Sequence, residues 1–247
     1  MKRMMTLAIV LVLSLVALQG AAADEILFGF RPVPPYVMEN AGKAPSGMEY
    51  DIIVAALAYK GHTVKPVMYP LARLIETMKT GTLQAAAPLL PVHNIPNATM
   101  SDVYLVYNNV AMAMKARQLQ VATVLDLKKY SIMAFGNAKN VLGADFKTAA
   151  EASPNYMEEA EQITQIKLLF AGRVDVVVGE SRILRYFIKA PSTGVDAKQE
   201  VVEYRVFPPT EYRVAFLNPQ HAKDFNAGLA AIKKNGTYDA IIKKYSN

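Results

Sequence analysis

The sequence predicts an α/β protein built as two similar lobes with a cleft between them. A fragment with one plan occurs in each half: Met78-Lys79-Thr80-Gly81-Thr82-Leu83-Gln84-Ala85-Ala86-Ala87 and Phe170-Ala171-Gly172-Arg173-Val174-Asp175-Val176-Val177-Val178-Gly179. Each reads as the end of an apolar helix, a glycine stop and a short buried strand. Glycine just past a helix takes the left-handed conformation without a Cβ clash. A run of small or β-branched apolar residues suits a strand covered on both faces. The second observation is the alternation of strand and helix ahead of the first fragment, which points to a largely parallel sheet with helices on its faces. The third is the pair of extended stretches, 103–114 and 203–217, each suited to a crossing between lobes. A cleft between two lobes is where a small ligand sits.

The elements follow in order. Ile26 to Phe30 is the first strand, and Pro32, Pro34 and Pro35 then impose a stiff loop. Gly42 to Gly47 is a turn. Tyr50 to Tyr59 carries Ile52, Ile53, Ala56 and Leu57 at helical spacing and stops at Gly61. Thr63 to Met68 is a strand, Leu71 to Met78 a helix and Leu83 to Ala87 a third strand. Val103 to Met114 crosses from one lobe to the other. Val124 to Tyr130 is a short helix, Ser131 to Phe135 a strand, Glu158 to Phe170 a helix, and Ser181 begins another that runs to Lys189. Pro191 to Gly194 turns the chain. Glu203 to Phe207 and Tyr212 to Leu217 are strands around Pro208-Pro209, the return crossing. Ala222 to Asn235 and Tyr238 to Tyr245 are helices separated at Gly236.

The start of the chain reads as a leader. Lys2 and Arg3 precede an apolar run from Leu7 to Leu18, and Ala21-Ala22-Ala23 offers a cleavage site before Asp24. That run falls short of the ~20 residues a membrane span needs. Residues 1–23 are thus expected to be a signal peptide, leaving a soluble exported protein. The chain has no cysteine, which excludes disulfides, thiolate metal sites and cysteine nucleophiles. The formal charge of +6 falls to +4 without Lys2 and Arg3, too mild to require nucleic acid. The compartment expected from these features is a bacterial periplasm.

Several ordered pieces resemble the type II periplasmic solute-binding proteins of the polar amino-acid-binding group. They are Pro34-Pro35-Tyr36 followed by Gly47-Met48-Glu49-Tyr50-Asp51; Pro70-Leu71-Ala72-Arg73 with Gly81; Ser101-Asp102-Val103-Tyr104; Ala171 to Glu180; and Asn235-Gly236-Thr237-Tyr238 with Ile241, Ile242 and Tyr245. The resemblance implies two lobes, each a mixed, mostly parallel sheet flanked by helices, joined by two hinge crossings. Lobe 1 would comprise 24–106 plus 213–247 and lobe 2 would comprise 107–212. It implies capture of a small polar or zwitterionic, amino-acid-like molecule by a monomer that serves a membrane permease or a sensor. One branch of the family is a cyclohexadienyl dehydratase, which leaves an enzymatic alternative with His93, Glu180 or Lys139 as general acid or base.

Ligands of open α/β sheets sit at the carboxyl ends of the strands. Reading those positions gives Arg31, Tyr36, Tyr69, Arg73, His93, Asn94, Asn137, Lys139 and Glu180 as candidate ligand contacts. Tyr36 offers a flat wall with a polar tip. Arg31 and Arg73 each offer a guanidinium for a carboxylate, although Arg73 has Glu76 and Asp51 as alternative partners. The resemblance implies an arginine after the third strand as anchor for the ligand's carboxylate, but that position holds Asn94, which supplies no charge. It also implies ligand contact for the loop from Asn137 to Asn140, where helix-start amides and Lys139 would favour an anion; plain capping by Asn137 is the alternative. Glu180 matches the position that meets the ligand's ammonium, with a salt bridge to Arg182 or Arg185 as the other reading. His62 and His221 fall in stretches read as exposed loops, and the histidine spacing suggests no metal site. No cofactor motif is visible.

Overall fold

The computed structural model describes residues 23–246. The expected leader, except for Ala23, lies outside the described residues. No described helix is long and apolar enough to cross a membrane.

The chain opens with β1 (Glu25–Phe30), a hairpin of β2 (Met38–Asn40) and β3 (Lys43–Ser46), and α1 (Met48–Ala58). β4 (Thr63–Met68), α2 (Leu71–Lys79), β5 (Ala85–Leu89), β6 (Thr99–Met100) and β7 (Leu105–Tyr107) follow. A second body then contains β8 (Asn109–Met114), β9 (Ile132–Phe135), α3 (Ala138–Val141), α4 (Ala144–Glu151) and β10 (Tyr156–Glu159). It continues through α5 (Gln162–Phe170), β11 (Val176–Glu180), α6 (Ser181–Lys189) and β12 (Val201–Tyr204). The chain returns along β13 (Thr210–Phe216) and ends with α7 (Pro219–Lys234) and α8 (Thr237–Lys244).

The two sheets share a plan. The first has the order β4-β1-β5-β13-β6, with β7 also on β13; the second has the order β10-β9-β11-β8-β12. In each, the strand after the glycine stop lies between a parallel neighbour and an antiparallel one. β5 pairs with β1 and β13, and β11 pairs with β9 and β8. Both glycine stops are left-handed, with φ of 74° at Gly81 and 66° at Gly172. The next amide reaches back over the helix end in both copies, from Thr82 to Thr77 O and from Arg173 to Leu168 O, each at 2.9 Å. The residue before each strand then ties it to its parallel neighbour. Gln84 accepts from the Leu27 amide at 2.7 Å, and Asp175 from the Ser131 amide at 3.0 Å. β5 and β11 are buried along their whole lengths.

The two crossings run side by side. Tyr107 pairs with Thr210 and Leu105 with Tyr212, antiparallel, and the Asn109 amide side chain donates to Thr210 Oγ1 at 3.1 Å. The first lobe's core gathers Phe28, Phe30, Phe216 and Phe225 beneath α1 and α7. Ile183, on α6 of the second lobe, is buried in that same cluster, so the lobes are in contact.

Four features differ from expectation. Glu158 to Phe170 is not one helix: Tyr156–Glu159 is an edge strand parallel to β9, and the helix starts only at Gln162. Ladder bonds to β9 outweigh the local preference of the two glutamates. The stretch before Gly47 holds a hairpin, β2–β3. The helix expected to open at Asn137–Asn140 is in two pieces, α3 and α4, separated at the left-handed Gly143, and α4 buries Phe146, Ala149 and Ala150 at helical spacing. His62 and His221 are not in exposed loops; each is 3% exposed. His62 follows the turn into β4 and His221 lies in the first turn of α7, and the packing of α7 over the sheet covers both.

Gly228 sets how closely α7 approaches α1. A Cβ there would fall 1.9 Å from the Ala56 carbonyl oxygen. Gly228→Ala is therefore expected to lower stability by about 1–3 kcal/mol through overpacking, measured as a fall in the denaturation midpoint with unchanged slope.

Candidate binding cleft

The carboxyl ends of β1 and β11 bring Arg31 and Glu180 to the seam between the lobes, where both act on Tyr212. Gly47 shapes one wall. It has φ 131°, and a Cβ there would lie 2.2 Å from the Tyr36 carbonyl oxygen. The bare backbone lets the proline loop dock on the start of α1, where the Glu49 amide donates to Tyr36 O at 2.9 Å. Tyr36 is thereby fixed with its ring stacked on Tyr107 at 4.4 Å, and Tyr107 in turn meets Tyr212 at 4.5 Å. These three rings come from the proline loop and from both hinge crossings.

The second lobe answers with Glu180. Its carboxylate accepts from the amides of Arg182 at 2.7 Å and Ile183 at 3.1 Å, and so caps α6. Its other oxygen lies 3.5 Å from the Asn108 amide, in the hinge, and 3.6 Å from the Arg182 guanidinium. Arg182 then donates across the seam to the Tyr36 hydroxyl at 3.4 Å. Burial raises the Glu180 carboxyl against the opposing pull of the Ile183 amide and the Arg182 charge. Burial, then the Glu180 charge, drives the Tyr36 phenol well above its ordinary value.

Glu49 lies beneath this layer and is fully buried. Burial pushes its carboxyl up to about 8, moderated by the Tyr104 hydroxyl and the Arg31 charge. Neither carboxyl oxygen nor the Tyr104 hydroxyl reaches a partner at full hydrogen-bonding geometry. Glu49 is therefore mainly a neutral acid at pH 7, as a carboxyl without paired charge must be in such a site.

The other sequence-derived candidates divide into groups. Arg31 is half-buried at the end of β1 and forms no ion pair among the described residues, while its charge acts on Glu49, Tyr107 and Tyr212. The Arg73 guanidinium lies 4.1 Å over the Tyr69 ring. Asp51, one of its alternative partners, instead meets Lys244 at 2.9 Å and the Tyr245 hydroxyl at 2.8 Å. His93 Nδ1 accepts from the Leu90 amide at 3.2 Å, and its Nε2 is buried without a partner. Burial, then Lys79, lowers the His93 pKa. Asn94 is exposed, with a left-handed backbone.

The loop at Asn137 is already supplied with an anion. Glu158 takes the Asn137 amide at 2.7 Å and the Lys139 amide at 3.2 Å, and also accepts from the Tyr156 hydroxyl at 2.7 Å. Lys139 lies 5.2 Å over the Tyr156 ring. Asn137 makes no capping bond of its own. The structure thus gathers Arg31, Tyr36 and Glu180 at the seam and leaves Tyr69–Arg73, His93–Asn94 and Asn137–Lys139 as separate local pairs. Of the two alternative partners read for Glu180, Arg182 is the one in place, at 3.6 Å, and the sequence reading missed Glu49, Tyr107 and Tyr212 at the seam. Tyr107 and Tyr212, on the two stretches read as crossings, were the available signal.

Two cavities lie between the lobes, neither lined by Tyr36, Tyr107 or Tyr212. One, of about 570 Å³, lies between Pro35 and Met38 of the first lobe, α6, and the end of α8, and carries Arg182, Arg185, Lys189 and Lys244. The other, of about 440 Å³, separates Leu90–Val92 from Val141–Gly143 and Pro208–Glu211. Both fall within the size range of small-molecule sites.

The model of the bacterial extracellular solute-binding proteins, family 3, matches residues 26–247. The chain belongs to this family. No curated protein matches it in sequence. Among solved structures, an ancestral arginine-binding protein bound to arginine superposes with a TM-score of 0.72 at 20% identity, over 92% of this chain and 99% of that one. A histidine kinase sensor domain with similarity to periplasmic binding proteins gives a TM-score of 0.72 at 19% identity, over 90% and 96% of the two chains. The arginine-, lysine-, histidine-binding protein ArtJ from Geobacillus stearothermophilus gives 0.70 at 18% identity, over 90% and 95%. At these identities the likeness establishes the two-lobed fold, and the family model establishes a solute-binding role.

The Glu49 acid makes stability depend on pH with a definite sign. An unfolded Glu49 releases its proton near 4.5, and the folded one only near 8. Between those values the folded chain holds more protons than the unfolded chain, so the contribution is fully present below pH 4.5 and is lost as pH rises through 8. Glu49→Gln is expected to melt higher than the parent at pH 9, by ~3–5 kcal/mol at most. The gap should shrink towards pH 5 in a calorimetric series.

Proposed function

We propose that this solute-binding protein captures a small polar or zwitterionic, amino-acid-like molecule between its lobes. It acts in the periplasm as a monomer and presents the solute, chemically unchanged, to a membrane permease or a sensor. One observation carries the reading. Arg31 is a guanidinium at the carboxyl end of a central strand, unpaired among the described residues, beside buried acids and tyrosines. A partly desolvated guanidinium without a carboxylate is a ready anchor for one. Arg31 thus takes the role of the arginine that the family places where this chain has Asn94.

Glu180 then acts as a lobe-closing group rather than the ligand's counter-charge, because amides and Arg182 already occupy its oxygens. A solute touching both lobes favours the closed arrangement by its differential affinity for it. The arginine bound to the ancestral neighbour and the amino acids named for ArtJ support an amino-acid-like solute. The histidine kinase neighbour supports a sensor as one possible client.

A thermal-shift screen of amino acids and small carboxylates against the purified protein tests the proposal. A ligand is expected to raise the melting temperature by mass action and to be recovered intact. Arg31→Ala is expected to weaken it by at least about tenfold, in line with the loss of a charge-assisted hydrogen bond of ~1.5–3 kcal/mol. Unchanged affinity in that variant would remove Arg31 as the anchor. Conversion of a cyclohexadienyl acid to an aromatic product would overturn the receptor reading itself.

A further inference from the structure

At the end of the first lobe away from the cleft, Asp24, His62 and His221 converge. One ligand-capable atom from each lies within 4.8 Å of the other two. They come from the residue before β1, the turn into β4 and the start of α7. The Asp24 main-chain nitrogen is 3.1 Å from His62 Nδ1, and Asp24 Oδ2 is 2.9 Å from His221 Nε2. Neighbouring ligands on one ion, with bonds of about 2.0–2.1 Å, stand about 2.9–3.3 Å apart. Both separations already meet that requirement.

The surroundings fit as well. His62 Nε2 meets Asp224 Oδ2 at 3.1 Å, and Gln220 Nε2 donates to the other Asp224 oxygen at 3.0 Å. With its Nδ1 accepting from Asp24, His62 carries its proton on Nε2, towards that carboxylate. A carboxylate behind a histidine fixes the tautomer and aims the free lone pair, the arrangement found behind metal-bound imidazoles. His221 turns its Nε2 towards Asp24, so that nitrogen faces the cluster. The Asp24 side chain is half exposed, so an ion has a way in. Cleavage before Asp24, expected from the sequence, turns its main-chain nitrogen into an amine and so into a fourth donor.

We propose that the mature protein binds one divalent transition-metal ion here, held by the Asp24 carboxylate and amine, His62 Nδ1 and His221 Nε2. Three nitrogens and one oxygen suit Cu(II), which also heads the divalent affinity order. This site is independent of the solute cleft.

The test uses protein purified to begin at Asp24, stripped with a chelator and titrated with Cu(II) alone, followed by calorimetry and electron paramagnetic resonance. One ion per chain with nitrogen hyperfine structure is expected. His62→Gln and His221→Gln are each expected to weaken uptake by at least about tenfold, while His93→Gln, outside this cluster, should bind as the parent does. Circular dichroism of the metal-free variants checks their folding. A preparation with one extra glycine before Asp24 keeps every side chain but displaces the amine, and is expected to lose about tenfold or more. Absence of stoichiometric uptake, uptake that survives His221→Gln, loss in His93→Gln, or full affinity in the glycine-extended chain would each overturn the assignment.

Discussion

The Glu180 carboxylate is where the parts of this molecule meet. It caps α6, lies near a hinge amide, and holds Arg182 so that the guanidinium reaches Tyr36 in the opposite lobe. Each of these contacts alone is modest. Together they link the start of a helix, the crossing segment and the facing lobe through one buried group. A carboxylate at this depth is costly unless its lone pairs are satisfied, and here they are satisfied by elements that must all be in place at once. Closure of the seam and order in the hinge are therefore coupled through a single side chain.

Glu49 shows the opposite solution to the same physical problem. It is fully enclosed without a firmly paired cation and keeps its proton instead. Around these two acids, Tyr36, Tyr107 and Tyr212 fill the seam with rings whose hydroxyls stay protonated. The tyrosine layer is thus chemically polar, and Arg31 is the cation beside it that has no ion pair among the described residues, which is why Arg31 carries the proposed reading of what the cleft accepts.

Much of the fold was legible because its signals are local. The glycine stops at Gly81 and Gly172, the apolar runs after them and the helical spacing in Tyr50 to Tyr59 depend on neighbours within a few residues. What could not be read depends on partners distant in sequence. Glu158 looked like part of a helix because its pairing with β9 and its contact with the Asn137 amide are invisible in its own neighbourhood. His62 and His221 looked exposed because their cover is α7 packing against the start of β1, an arrangement that joins residues 24, 62 and 221. In the cleft, Arg31, Tyr36 and Glu180 were found from their positions at strand ends. The hinge tyrosines, and the reach of Arg182 beyond Glu180 to Tyr36, were not legible because they depend on the facing lobe.

The loop that carries Asn137 has a consequence for how recognition divides between the lobes. With Glu158 already seated on its amides, this loop of the second lobe is neutralised from within. On the proposed reading, an anionic group of the solute finds no open amides there and is met by Arg31 of the first lobe.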